Sequence, residues 1–142
     1  MNEKWQERTR LLAGEKTLER YANAHVLVVG LGGVGAYAAE QLCRAGIGEM
    51  TIVDADNVDI TNINRQLLAT TESIGTSKVS VMAQRLRSIN PDIRLHEVHE
   101  FLRDEGTIRL LESTKFDYVV DAIDTVTGKI SEINDTFKTL TI

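Results

Sequence analysis

A glycine run, two cations and a set of carboxylates share spacings that suit nucleotide chemistry. Gly30-Leu31-Gly32-Gly33-Val34-Gly35 fits G-x-G-x-x-G with an extra glycine at position 33. Gly30, Gly32, Gly33 and Gly35 allow a tight turn and let a phosphate approach the backbone. A helix starting there adds N–H donors and partial positive charge. Asp54 and Asp56 follow an apolar run. A carboxylate in that place can accept ribose hydroxyls, and Asp54, the first after the run, is the better placed. Up to this point NAD and ATP are equally allowed.

Arg65, within Thr61-Asn62-Ile63-Asn64-Arg65-Gln66, and Lys78 separate them. Hydride transfer needs no cations around a third phosphate. Adenylation must neutralise a triphosphate and the departing pyrophosphate. Arg65 offers a planar fork of donors and Lys78 a point charge. Asp121 and Asp124 end a later apolar run. A carboxylate there suits a magnesium ion that bridges phosphate oxygens.

These residues need a frame that brings them to one edge. Residues 3–23 carry apolar positions at helical spacing, interrupted by Gly14. Strands are predicted at residues 25–29, 50–53, 93–98 and 116–123. Helices are predicted at residues 33–45 and 76–89, with a short one from Asp104 to Leu111. Residues 55–75 form a long polar connection, the kind that carries function. Alternation of strand and helix implies parallel strands with right-handed crossovers. The fold class is therefore α/β: the Rossmann-like nucleotide-binding half of a doubly wound sheet, with strand order 3-2-1-4. Three segments follow: a helical one at 1–24, a nucleotide-binding domain at 25–127 and a tail at 128–142. Val126, Ile130, Ile133, Phe137 and Leu140 recur at helical spacing, which predicts an amphipathic helix in the tail.

The bulk properties narrow the class. The 142 residues suffice for one modest core. No apolar run is long enough to span a membrane, and the charged N-terminus lacks a signal core, so a cytoplasmic protein is expected. One cysteine, Cys43, excludes an internal disulfide and a multi-cysteine zinc site. A net charge of −5 argues against extended nucleic-acid binding by this chain alone.

Gly30 to Gly35, Asp54, Asn62 to Gln66, Gly75-Thr76-Ser77-Lys78 and Asp121-Ala122-Ile123-Asp124 occur in order. Together they resemble the adenylating domain of the ubiquitin-activating-like superfamily, of the ThiF/MoeB/HesA type. Arg8 to Lys16 and Tyr118 to Asp124 are similar to the tRNA threonylcarbamoyladenosine dehydratase branch. The resemblance covers about residues 5–127, so the substrate-facing half of that family is expected to be missing here.

The resemblance implies ATP as cofactor with magnesium. It implies Gly33 on the nucleotide, Asp54 on its ribose, and Asn62, Arg65 and Lys78 on the phosphates. It implies Asp124 on the metal, and Arg10 reaching the phosphates from the other subunit of a homodimer. The substrate class is then a threonylcarbamoyl-modified tRNA. A ubiquitin-like sulfur-carrier protein is the alternative substrate, and a truncated, non-catalytic nucleotide-binding module is the alternative of another class. An NAD-dependent dehydrogenase is disfavoured by Arg65 and Lys78.

His96 and His99 are predicted to point to opposite faces and to share no metal. His25 is expected to be structural, Cys43 a packed residue and Arg85 a solvated one.

Overall fold

The computed structural model describes residues 3–102, 104–123 and 139–141. After a 3-10 turn at Glu3–Gln6 come α1 (Glu7–Ala13) and α2 (Glu15–Asn23), separated by Gly14 as the sequence predicts. Then follow β1 (His25–Val29), α3 (Gly35–Ala45), β2 (Glu49–Val53), α4 (Lys78–Ile89), β3 (Arg94–Val98), α5 (Asp104–Ser113) and β4 (Tyr118–Asp121). A last strand, β5, covers Thr139–Thr141.

The sheet order is β3-β2-β1-β4-β5, and every pairing is parallel. The first four strands reproduce the predicted 3-2-1-4 order. β5 is a departure from the sequence reading. Leu140 belongs to a helical stripe in the sequence, yet it pairs with Val120 of β4. A three-residue strand shows no period of its own, so pairing along β4 decides it. The remaining stripe positions, Val126 to Phe137, lie outside the described residues.

β1 is buried along its whole length, as expected for a central parallel strand covered on both faces. The pleat sends alternate residues to opposite sides. Val26, Val28, Met50 and Ile52 pack with Met82 and Leu86 of α4. Leu27, Val29, Val53 and Val119 pack with Leu102 and Phe116 on the α5 side. β3 sits at the edge, and its His96 and Glu97 are exposed. All parallel strands end at one margin, where βα loops gather and where open α/β sheets bind ligands.

Two side chains of α3 and α4 complete the comparison outside the site. Arg85 is exposed, as expected, and its Nε also bonds Glu40 of α3. Glu40 is 6% exposed and also bonds Arg44 at 3.0 Å. These guanidinium bonds, Arg85 first, hold its carboxyl below the usual range. Cys43 is buried as expected, and burial pushes its thiol up to about 11.

Candidate functional site

The ends of β1, β2 and β3 open onto a cleft of about 490 Å³, within the range of small-molecule sites. Its walls include Gly30, Gly32, Gly33, Asp54, Asp56, Asn62, Arg65, Gln66 and Lys78. The structure therefore gathers most of the predicted site residues from four separate segments.

The glycine loop is compressed. Gly30 has φ 93°, and a Cβ on it would lie 2.7 Å from the Ala122 carbonyl oxygen. A Cβ on Gly35 would lie 1.7 Å from the Gly30 carbonyl oxygen. Gly35 thus serves packing at the helix start, while Gly32 and Gly33 face the cleft. α3 begins at Gly35, and its N-cap residue, Val34, makes no side-chain cap bond. The first N–H groups of an α-helix lack intrahelical partners and attract anions.

Asp54 follows β2 directly and does two jobs. Its Oδ2 accepts the Leu31 N–H at 2.8 Å, and its Oδ1 accepts the Asp56 N–H at 2.8 Å. The carboxylate fixes the loop backbone. Each oxygen keeps a further lone pair for a ribose hydroxyl.

Lys78 is the first residue of α4 and only 5% exposed. Lysine is rarely buried, and a cation at a helix N-terminus opposes the dipole. Placed at the wall of the cleft, this cation suits a site for an anion. Its Nζ lies 3.9 Å from Asp56 Oδ2, and its backbone N–H donates to the Asp56 carbonyl at 3.0 Å. Ser77 caps the helix, accepting the Ser80 N–H at 3.3 Å.

Asn62 and Arg65 lie in the long connection. Asn62 Oδ1 accepts the Asp59 N–H at 2.8 Å in a capping box over the 3-10 turn Ile60–Asn62. Its amide nitrogen, a donor, is the end that suits an anion. Arg65 Nη1 donates to the Thr61 carbonyl at 3.1 Å and to Asn64 Oδ1 at 2.9 Å. The Arg65 side chain runs beside Gly33, whose Cβ would stand 3.7 Å from Arg65 Cγ.

One expected residue stands apart. Arg10 lines no part of this cleft; it bonds Glu15 at 2.7 Å and faces Glu3 at 3.7 Å within the N-terminal helices. Asp124 lies outside the described residues. Asp121 is fully buried, with Oδ1 accepting the Ile123 N–H at 3.3 Å.

Sequence reasoning gave Gln66 no role and passed over Phe101 and Leu102. Gln66 is 7% exposed and lines the cleft, and its Oε1 has no hydrogen-bond partner among the described residues. A buried unpaired amide oxygen is costly, which makes Gln66 a candidate polar contact for a ligand. Phe101 and Leu102 form an apolar wall with Val53 and Ile123. The available signal was their position just past the end of β3, on the ligand side.

Comparison with known proteins agrees with this geometry. A tRNA threonylcarbamoyladenosine dehydratase of Escherichia coli is 43% identical over 136 residues, covering 94% of this chain and 50% of that protein. A crystal structure of E. coli tRNA N6-threonylcarbamoyladenosine dehydratase, TcdA, in complex with ATP superposes with a TM-score of 0.88 at 40% identity. It covers 99% of this chain and 60% of that one. A sulfur carrier protein adenylyltransferase of Thermus thermophilus is 38% identical over 111 residues, covering 78% of this chain and 40% of that protein. This chain spans about half the length of the tRNA-modifying relative. No helix among the described residues is long and apolar enough to cross a membrane. The ThiF family matches residues 6–136, past the Thr127 limit of the sequence resemblance, and the chain belongs to that family.

Proposed function

We propose that this chain is the ATP-binding part of a cytoplasmic enzyme that adenylates a carboxylate. The substrate of this reading is the threonylcarbamoyl group of a modified tRNA adenosine, converted to cyclic threonylcarbamoyladenosine. The observation that carries it is Lys78, a buried cation at a helix N-terminus, in one cleft with Arg65 and the glycine loop.

ATP supplies the adenylyl group. A carboxylate oxygen of the substrate bonds to the α-phosphorus as the bond to pyrophosphate breaks. Gly32, Gly33 and the α3 N-terminus receive phosphate oxygens through backbone N–H groups. Asp54 accepts the ribose hydroxyls. Arg65, Lys78 and the Asn62 amide hold the phosphates and offset the charge that grows on pyrophosphate. AMP then leaves as the cyclic product forms.

Magnesium belongs to this reading. It takes one or two carboxylates together with phosphate oxygens. Asp54, Asp56 and Glu100 line the cleft, so the donor chemistry fits; Asp124 is the residue proposed to hold the ion. Arg10 is proposed to serve the partner's site in a homodimer. Leu11 and Leu12 beside it are 77% and 90% exposed, which supports an apolar subunit contact on α1.

The second reading is activation of a sulfur-carrier protein, favoured by the 38% identity to the Thermus adenylyltransferase. The Arg8-to-Lys16 segment and Asn64 favour tRNA. Pyrophosphate exchange separates them. Exchange stimulated by threonylcarbamoyl-modified tRNA supports the first reading, and exchange stimulated only by a sulfur carrier supports the second. ATP binding without exchange in either case leaves a nucleotide-binding module and overturns both.

A further inference from the structure

The opposite margin of the sheet carries a cluster that the nucleotide reading does not use. His25 opens β1, Glu49 opens β2 and His96 lies in β3. One ligating atom from each of these three side chains lies within 4.8 Å of the other two. Glu49 Oε1 is 2.8 Å from His96 Nε2 and 3.8 Å from His25 Nδ1. The two imidazoles are 5.6 Å apart, and His25 also packs on Phe116 at 4.7 Å.

The arrangement has an outer layer as well. His25 Nε2 is 2.8 Å from Oγ1 of the buried Thr51. A proton donated to Thr51 leaves the lone pair on Nδ1, the nitrogen that faces Glu49. Metal-ligating histidines are oriented in this way by a hydrogen bond from the second nitrogen. Asp117 adds negative charge nearby, its Oδ2 accepting the His25 backbone N–H at 2.8 Å. Two groups compete with a cation. Arg94 lies 3.5 Å from Glu49 Oε2, and the Lys115 carbonyl favours the protonated His25 ring. Arg94 meets the carboxylate oxygen that does not face the rings.

We propose that His25, Glu49 and His96 bind a divalent transition-metal ion of the zinc type. Two imidazoles and one carboxylate are a zinc donor set that leaves a fourth position for water. Zinc bonds of about 2.0–2.2 Å place tetrahedral donors roughly 3.3–3.5 Å apart. The distances of 2.8 and 3.8 Å from Glu49 Oε1 bracket that spacing. The His96 side chain is 54% exposed, so it has room to adjust. A bound ion ties β1 and β2 to the edge strand β3. Each strand rises about 3.3 Å per residue, so the five residues of β1 hold this site clear of the cleft. Nucleotide binding and metal binding are then separable.

Calorimetry with zinc chloride, and visible spectra with cobalt chloride, test the proposal on the full chain. His25 is buried and its replacement endangers folding, so Glu49→Gln and His96→Ala carry the test. His99, which meets the Ala55 carbonyl instead, supplies His99→Ala as the control. The expected result is one zinc equivalent bound by wild type and by His99→Ala. Glu49→Gln and His96→Ala should weaken binding at least tenfold and lose the intense four-coordinate cobalt bands, with ATP affinity unchanged. No saturable binding by wild type, or equal zinc affinity in Glu49→Gln and His96→Ala, overturns it.

Discussion

Asp54 Oδ2 accepts the Leu31 N–H at 2.8 Å, so the end of β2 holds the glycine loop that leaves β1. The same carboxylate accepts the Asp56 N–H. Hydrogen bonds to a charged group are each worth about 1.5–3 kcal/mol. Asp54→Ala removes both bonds and should therefore lower stability by about 3 kcal/mol or more and also weaken ATP binding at least tenfold. Asp54→Asn keeps one acceptor and should fall between. Urea melts and ATP calorimetry on the two variants check this; unchanged melts with lost binding would show that Asp54 serves the ligand alone.

The two ends of the glycine run should respond differently. A Cβ on Gly35 meets the Gly30 carbonyl at 1.7 Å, whereas one on Gly33 stands at ordinary contact distance from Arg65. Gly35→Ala should cost about 3 kcal/mol or more, because backbone must move. Gly33→Ala should fold normally, with a melting temperature near that of wild type, and lose ATP affinity. Equal melting temperatures for the two would contradict the packing role of Gly35.

Glu40 gives a pH signature. Its folded pKa is depressed, chiefly by Arg85. A depressed carboxylate contributes stability above its unfolded pKa, near 4.5, and loses it as pH falls through the folded value. Glu40→Gln should be less stable than wild type at pH 7 by about 1–3 kcal/mol. The gap should shrink as pH falls below 4.5. Melts across that range would show the convergence; a gap independent of pH would contradict the assignment.

Cys43 should be inert in the native state. Burial raises its thiol to about 11, and the thiolate is the reactive form. Thiol labelling at about pH 8, near the ordinary thiol pKa, should be slow when folded and rapid in denaturant. Rapid native labelling would mean that the space between α3 and α4 opens readily.

Much of this architecture was readable from residues alone, for local reasons. The apolar runs at Val26–Val29 and Met50–Val53 admit little besides buried strands, and Gly14 splits the N-terminal helices where its position predicts. Arg65 and Lys78 stood out as a pair by residue type, and the fold brings both to the wall of one cleft. What failed to show depends on contacts distant in sequence. β5 exists by pairing with β4, which no window around Leu140 reveals. Arg85 meets Glu40 only because α3 and α4 pack side by side. His25, Glu49 and His96 converge through strand pairing, whereas the sequence invited a comparison of His96 with His99. Phe101 belongs to no apolar period and becomes informative only beside the cleft.

In the proposed function, Lys78 and Arg65 grip the phosphates of ATP. Calorimetry of the full chain with magnesium-ATP, AMP and NAD, on wild type, Lys78→Ala and Arg65→Ala, tests it directly. ATP should bind wild type better than NAD, and each variant should lose at least tenfold in ATP affinity while AMP affinity changes less. Equal ATP affinity in all three proteins, or tighter binding of NAD than of ATP, would contradict the account.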